Sequence, residues 1–428
     1  MSGRRVVVTG LGLVTPLGLG LEENWRRALA AESGIRELAA RGWRGCPTRA
    51  AGTIADDDWR QIVTAFPEEA QAAGERRTLF ALHAAEAALA DAGVTGGGRR
   101  HGVVLGAGLG IVPLADLARW LDADGRFDEE RLAATLESVS AESLLRNPSD
   151  RPAALIARRF SLGGVNATVT TACASATHAI GTAYRMIRRG DADLVVAGGA
   201  DSMINPVGLV YFVLLGAAAT AKGHPATLCC PFDRRRSGLV MGEGAGVAVL
   251  EAAEHAAARG ARPRAEVAGF GASLDGYRVT APEPGGEGAA RAMRAALADA
   301  GLAPGEIDYI NAHGTGTRLN DVAETTAIKE VFRGHAASVA ISSSKSLIGH
   351  LLAACGGPEF AFTVMAVQHD VVHPTLNLTH PDPRCDLDYV PLVARRLPVR
   401  AALSNSFGFG GENACLAVRK PDTGKGAA

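Results

Sequence analysis

Short apolar runs alternate along this chain with longer stretches in which apolar residues recur every three or four positions. The runs predict buried strands and the stretches predict helices with one buried face. Arg5 to Thr9 (RVVVT) reads as a strand, and GLGLVTPLG, Gly10 to Gly18, as a tight turn into a helix over Leu21 to Ala31. Arg76 to Ala92 carries helical spacing, and His101 to Leu105 returns to strand character before GAGLG, Gly106 to Gly110. From about Leu114 to Phe160 the pattern is helix-rich and less regular, which suggests an insertion capping the main layers. A β-branched run, Thr168 to Thr171, stops at Ala172 and Cys173, and a helix is expected from Ala174 to Arg189, closed by Gly190. Asp193 to Asp201 and Gly242 to Leu250 read as further buried strands.

A second round begins near Arg264. It predicts a strand in AEVAGFGAS, a helix over Gly288 to Ala300, a strand over Ile307 to Ala312 and a helix over Val322 to Phe332. A strand over Ser338 to Ser342, a helix from about His350 and a strand near Ala401 complete it. Two successive α/β rounds predict a duplicated fold with a shared core, divided as 1–255 and 256–428. No short-period repeat or low-complexity linker interrupts them.

Composition narrows the function. The 428 residues, 47% of them hydrophobic, suffice for a sizeable core, and 44 Lys and Arg against 45 Asp and Glu give no basic field to recruit nucleic acid. The longest apolar run, Val207 to Ala219, falls short of the roughly 18 residues a membrane span needs, and the N-terminus lacks a signal-peptide pattern. A cytoplasmic protein without a membrane partner is expected. The seven cysteines show no CxxC spacing, so reduced thiols are expected rather than a zinc framework, and no metal.

Four segments share one form, a strand end carrying a reactive or flexible group among small residues. In ATVTTACASATH, Cys173 sits where a strand gives way to a helix, a position at which the helix N-terminus would favour thiolate over thiol. In DYINAHGTGT, His313 precedes two glycines and two hydroxyls, Thr315 and Thr317. In KSLIGHLL, Lys345 precedes Gly349, and His350 is expected to open a helix. In SNSFGFGGEN, glycines allow close backbone approach and Phe407 and Phe409 supply bulk that would gate a pocket. Each has an ordinary structural explanation taken singly: a buried cysteine, a capping histidine, a solvated lysine, a tight turn. Together they describe one site. The glycine motif at Gly10 lacks the third glycine and the acidic ribose partner of a dinucleotide site.

In this order and spacing, TACASATH, NAHGTGT, KSLIGH and NSFGFGG resemble the β-ketoacyl-ACP synthases of the thiolase-like superfamily, closest to the synthase II type, from Arg5 to about Val418. The resemblance implies a thiolase-like, duplicated, five-layered α/β fold with a helix-rich cap insertion, its first half carrying the nucleophile and its second the two histidines. It implies that Cys173 accepts an acyl chain from an acyl carrier protein, with the N–H groups of Cys173 and Phe409 as oxyanion hole. His313 and His350, both neutral, would donate to the enolate formed when malonyl-ACP loses carbon dioxide. Lys345 would order the histidines, with Glu324 its partner through water or an ion. Thr315 and Thr317 match positions that hold the pantetheine arm, Phe409 the acyl gate, and Phe212 and Leu109 further substrate-binding positions.

No cofactor is implied. The implied partners are acyl-ACP, malonyl-ACP and a second chain, identical or homologous. The departures are Glu412 where Thr is common, Gly216 where Arg is common and Arg278 where His is common, which leave chain length and partner choice open. Pro358, inside the helix expected from His350, is a further oddity because proline removes a helical hydrogen bond. A catalytically silent chain-length partner subunit is the alternative, and it predicts loss of the nucleophile that Cys173 supplies.

Overall fold

A computed structural model describes residues 3–38, 46–73, 75–110, 118–138 and 148–422. Two five-stranded sheets, hydrogen-bonded edge to edge into one continuous sheet, are built from β1 (Val6–Thr15), β2 (His101–Ala107), β3 (Asn166–Val169), β4 (Leu194–Ser202) and β5 (Glu243–Ala252), then β6 (Ala265–Leu274), β7 (Tyr309–Asn311), β8 (Ala340–Ser342), β9 (Ala401–Phe407) and β10 (Glu412–Arg419). The hydrogen-bonded order is β3-β2-β4-β5-β1 in the first and β8-β7-β9-β10-β6 in the second, so each sheet repeats the same 3-2-4-5-1 order. Strand directions repeat too. β2 runs parallel to β3 and β4, and β7 to β8 and β9, while the remaining pairs are antiparallel. The sheets meet where β1 pairs with β6, Val6 opposite Val267.

Helices α1 (Leu21–Leu29), α2 (Arg77–Asp91) and α3 (Arg151–Arg159) belong to the first half, with α4 (Ser175–Arg189) and α5 (Pro206–Leu214). The second half contributes α6 (Glu287–Ala300), α7 (Asn320–Phe332) and α8 (Gly356–His369). α4 and α8 touch strands of both sheets and each other, α2 covers the outer face of the first sheet, and α6 that of the second. The stack is therefore helix, sheet, helix pair, sheet, helix. α8 is buried along nearly its whole length because both sheets cover it, which explains its almost uninterrupted apolar sequence.

The glycines after RVVVT are not a turn. β1 runs straight through Gly10 and Gly12, and a methyl group on either would stand 2.1 or 2.0 Å from the carbonyl oxygens of Ala88 and Ala84 in α2. The second half repeats the device: Gly269 and Gly271 in β6 face Ala296 and Ala292 of α6 at 2.3 and 2.1 Å. In both halves glycine lets a strand and a helix backbone touch. Of the expected cap, the helix Glu129–Thr135 and α3 are described, while Leu114 lies outside the described residues. Among the described residues no helix is long and apolar enough to cross a membrane.

Candidate active site

The site is assembled from loops at equivalent strand ends of the two halves. Cys173 follows β3, and Lys345 and His350 follow β8, the strand at the same place in the second sheet. His313 follows β7, and Phe409 follows β9. Cys173, His313, His350, Thr315, Thr317 and Phe409 line one cavity of about 360 Å³.

The chain turns sharply into Cys173. Ala172 has φ 45°, a left-handed conformation that costs an alanine roughly 1 kcal/mol. Ser175 holds the turn, accepting the Thr171 N–H at 2.8 Å and donating to the Ala172 carbonyl at 2.6 Å. α4 then runs to its left-handed Gly190 cap, close to the span expected from the sequence. Gly408 packs against the turn so closely that a methyl group there would stand 3.0 Å from the Thr171 oxygen and 3.1 Å from the Cys173 nitrogen. That approach brings the Phe409 N–H to the Cys173 sulfur, beside the Cys173 N–H.

The expectation of a thiolate does not hold. Burial pushes the Cys173 thiol up to about 11, and the opposing pull of Lys345 and the Phe409 N–H does not overcome it. Cys173 rests protonated.

Both histidines are buried and neutral. Burial, and for both the Lys345 charge, hold them well below the ordinary imidazole value. Their rings lie 5.5 Å apart at 89°. Lys345 Nζ stands 3.2 Å from His313 Nδ1, and the Leu352 N–H donates to His350 Nδ1 at 3.0 Å. An ammonium and an amide can only donate, so each Nδ1 is an acceptor and each ring carries its hydrogen on Nε2.

Lys345 pairs with a residue the sequence reading missed. Its ammonium contacts the Glu359 carboxylate inside α8, and both side chains are 1% exposed. Burial works against the lysine charge, but Glu359 outweighs it and holds Lys345 above its ordinary value. Burial pushes Glu359 upward as well; a neutral acid facing an ammonium would leave a buried cation uncompensated, so the pair is ionised. The signal was a lone carboxylate in the apolar run of α8.

Glu324 acts on the Lys345 charge and has a second task as well. Its two oxygens accept the N–H groups of His313 and Gly314, each at 2.8 Å, and it takes a longer bond from Asn405. It fixes the His313 loop from beneath, and burial raises it to about 7. A buried ion group, Arg236 with Asp321 and Asp382, holds the next stretch: Arg236 donates to the Thr317 carbonyl and Asp321 accepts the Gly316 N–H. Thr315 and Thr317 thereby share a hydroxyl contact of 3.0 Å on the cavity wall.

His350 does not open a helix. The four-residue helix Lys345–Ile348 ends before it, a bridge ties it to Met241, a 3-10 turn follows at Leu352–Ala354, and α8 itself starts at Gly356. Pro358 consequently falls in the first turn of α8, where its missing N–H has no helical partner to lose.

Phe212 lies behind the cavity rather than on it, its ring stacked on Phe409 at 6.4 Å. Leu109 is not brought to the site: it is 64% exposed and outside the cavity lining. Gly216 lines the cavity with φ 66°, ending α5 in a conformation that suits glycine. Glu412 starts β10 half-buried, and Arg278 lies exposed over the Tyr277 ring. All seven cysteines are free, and among the described residues no cluster of His, Cys, Asp and Glu is arranged to hold a metal.

Comparison with known proteins gives a consistent result. Residues 3–256 match the family model of the β-ketoacyl synthase N-terminal domain, and residues 264–379 that of its C-terminal domain. The 3-oxoacyl-[acyl-carrier-protein] synthase 2 of Synechocystis sp. is 39% identical over 423 residues, 98% of this chain and 99% of the relative. Two solved structures cover 98% of this chain and 100% of their own. One is a type II polyketide ketosynthase bound to a hexaketide in complex with its acyl-carrier protein, at TM-score 0.87 and 32% identity. The other is the ishigamide ketosynthase/chain length factor, at TM-score 0.86 and 34% identity.

Proposed function

The chain belongs to the β-ketoacyl synthase family, and from that premise we propose that it is a 3-oxoacyl-ACP synthase, with Cys173 as nucleophile and His313 and His350 as decarboxylation donors. One observation carries this reading: a cysteine, two neutral Nε2–H imidazoles and the Phe409 N–H converge on one cavity.

In the first half-reaction the Cys173 sulfur attacks the acyl-ACP thioester. The carbonyl oxygen takes charge opposite the N–H groups of Cys173 and Phe409. Neither imidazole has a free nitrogen facing the cavity, so the thiol proton passes to the leaving pantetheine sulfur. The acyl chain then lodges beyond Phe409, towards Phe212, Leu209, Leu239 and Met241.

In the second, malonyl-ACP loses carbon dioxide. The electron pair of the broken C–C bond becomes an enolate, whose oxygen accepts hydrogen bonds from the Nε2–H groups of His313 and His350. Its carbon attacks the Cys173 thioester, and collapse expels the Cys173 thiolate, which regains a proton from water. The product is a β-ketoacyl-ACP two carbons longer, for fatty-acid or polyketide elongation. No cofactor is needed, because the charge that develops is met by four fixed donors.

The half 1–255 supplies the nucleophile and the half 256–428 the decarboxylation donors. Two such chains, identical or homologous, form the working dimer in the cytoplasm. Incubation with acyl-ACP produces a mass shift on Cys173 that is absent from Cys173→Ala. Either His→Ala variant stops carbon dioxide release from malonyl-ACP. An unacylated Cys173, or release unchanged in both variants, overturns the assignment.

A further inference from the structure

His350 is held from behind by two donors at the two ends of one turn. Its Nδ1 accepts the Leu352 N–H, and the Sγ of Cys355 lies 3.0 Å from the same nitrogen. Because the amide hydrogen can only donate, Nδ1 presents a lone pair, and the rotatable thiol hydrogen has an acceptor to point at. Burial, opposed by Lys345, holds the Cys355 thiol well above the ordinary cysteine value, so it stays S–H.

The amide donor stands on a strained turn. Leu352 has φ 52°, in the region that favours glycine, and the turn is pinned by the buried Asp201, which accepts the Ala353 N–H at 3.1 Å. Cys355 closes the same turn, its N–H donating to the Leu352 carbonyl at 3.2 Å, and also caps the start of α8. One donor stands at the strained residue of the turn and the other where the turn joins the central helix, and both meet at one ring nitrogen.

We propose that Cys355 is a positioning residue for the condensation, its thiol donating to His350 Nδ1 so that the ring stays uncharged with its Nε2 hydrogen turned to the cavity. This rests on the reading of His350 as an enolate donor. The other titratable groups around the ring are Lys345 with Glu359 behind it, His313, Cys173 in the shared cavity, and Asp201 beneath the turn. Lys345 acts in the same sense as Cys355, so the thiol adds to a bias already present.

The test compares wild type, Cys355→Ala and Cys355→Ser, the last keeping a hydroxyl donor. Two readouts are taken from pH 3 to 9, a range that reaches below the ordinary imidazole value: C2-hydrogen exchange of His350 followed by mass spectrometry, which needs no turnover, and malonyl-ACP decarboxylation. Loss of one hydrogen bond shifts the ring's protonation about fivefold, so its pKa rises by about 0.7 in Cys355→Ala. The acid limb of decarboxylation moves up with it, Cys355→Ser returns both towards wild type, and acylation of Cys173 is unchanged. An unshifted exchange profile in Cys355→Ala, whatever its rate, overturns the proposal, as does a Cys355→Ser that shifts equally far. A wild type that exchanges as expected but releases no carbon dioxide tells against the functional reading and leaves the clamp standing.

Discussion

The Lys345–Glu359 pair allows stability to be separated from catalysis. Both side chains are 1% exposed, so the pair is fully desolvated. Truncating one member leaves the other as an unpaired buried charge, at a cost of about 3–5 kcal/mol. For a unit the size of one half of the chain this is a fall of about 6–20 °C in unfolding midpoint, at about 2–4 °C per kcal/mol. Replacing both by apolar residues of similar volume removes the charges together. The double variant Lys345→Met/Glu359→Leu should therefore unfold close to wild type, whereas each single change falls. Activity should not recover. Without the ammonium, His313 Nδ1 loses its donor, the ring divides between tautomers, and only part of the population presents Nε2–H to the enolate. Thermal unfolding and malonyl-ACP decarboxylation, measured on all four proteins, form the cycle. If the double variant falls by the sum of the singles, about 6–10 kcal/mol, the two residues are energetically independent and the pairing is wrong. A stable double variant that decarboxylates at the wild-type rate refutes the role given to Lys345.

Gly408→Ala places a methyl group 3.0–3.1 Å from the Cys173 turn and lifts the Phe409 N–H from the sulfur, so acylation by acyl-ACP should slow about 10²–10³-fold with the fold retained, as for loss of one oxyanion donor. Because the Cys173 thiol is pushed up to about 11, iodoacetamide alkylation of the free enzyme should climb about tenfold per pH unit from 7 to 9; a plateau near neutrality contradicts a protonated resting state. Gly10→Ala sets a side chain 2.1 Å from the Ala88 carbonyl oxygen, and forcing β1 from α2 should cost at least about 1–3 kcal/mol, read as a lowered unfolding midpoint without any change in the Cys173 acylation rate of the folded fraction.

Local periodicity carried much of the fold. The helices at Ser175–Arg189, Glu287–Ala300 and Asn320–Phe332 fall within two residues of their expected limits, because each buries one regular face and Gly190 and Gly301 cap the first two. It failed where the backbone was shaped by a neighbour. Gly10 and Gly12 look like a turn until α2 lies against them, and the helix placed at His350 starts six residues later because the intervening stretch pairs with Met241 and loops past Asp201. The chemistry divides similarly. Cys173, His313, Lys345 and His350 stand out as reactive groups among small neighbours; Glu359 is marked only as a lone carboxylate in an apolar run, and that Lys345 is its partner is set by the docking of α8. Glu324 stands out as well, but its hold on the His313 and Gly314 backbone does not, because that distance exists only after α7 has docked.

The sequence by itself determined the α/β alternation, the duplication and the identity of the reacting groups, because these depend on side-chain type and short-range spacing. The tertiary structure decided their states. Whether Cys173 is thiol or thiolate depends on the water excluded when α4 and α8 pack between two sheets. Which nitrogen of each histidine carries the hydrogen depends on donors up to 32 residues away, Lys345 for His313, and Leu352 and Cys355 for His350. Desolvation is a property of assembled surfaces, and so is the Lys345 donor to His313, whereas the donors to His350 lie two and five residues along the chain and only the fold of their turn aims them.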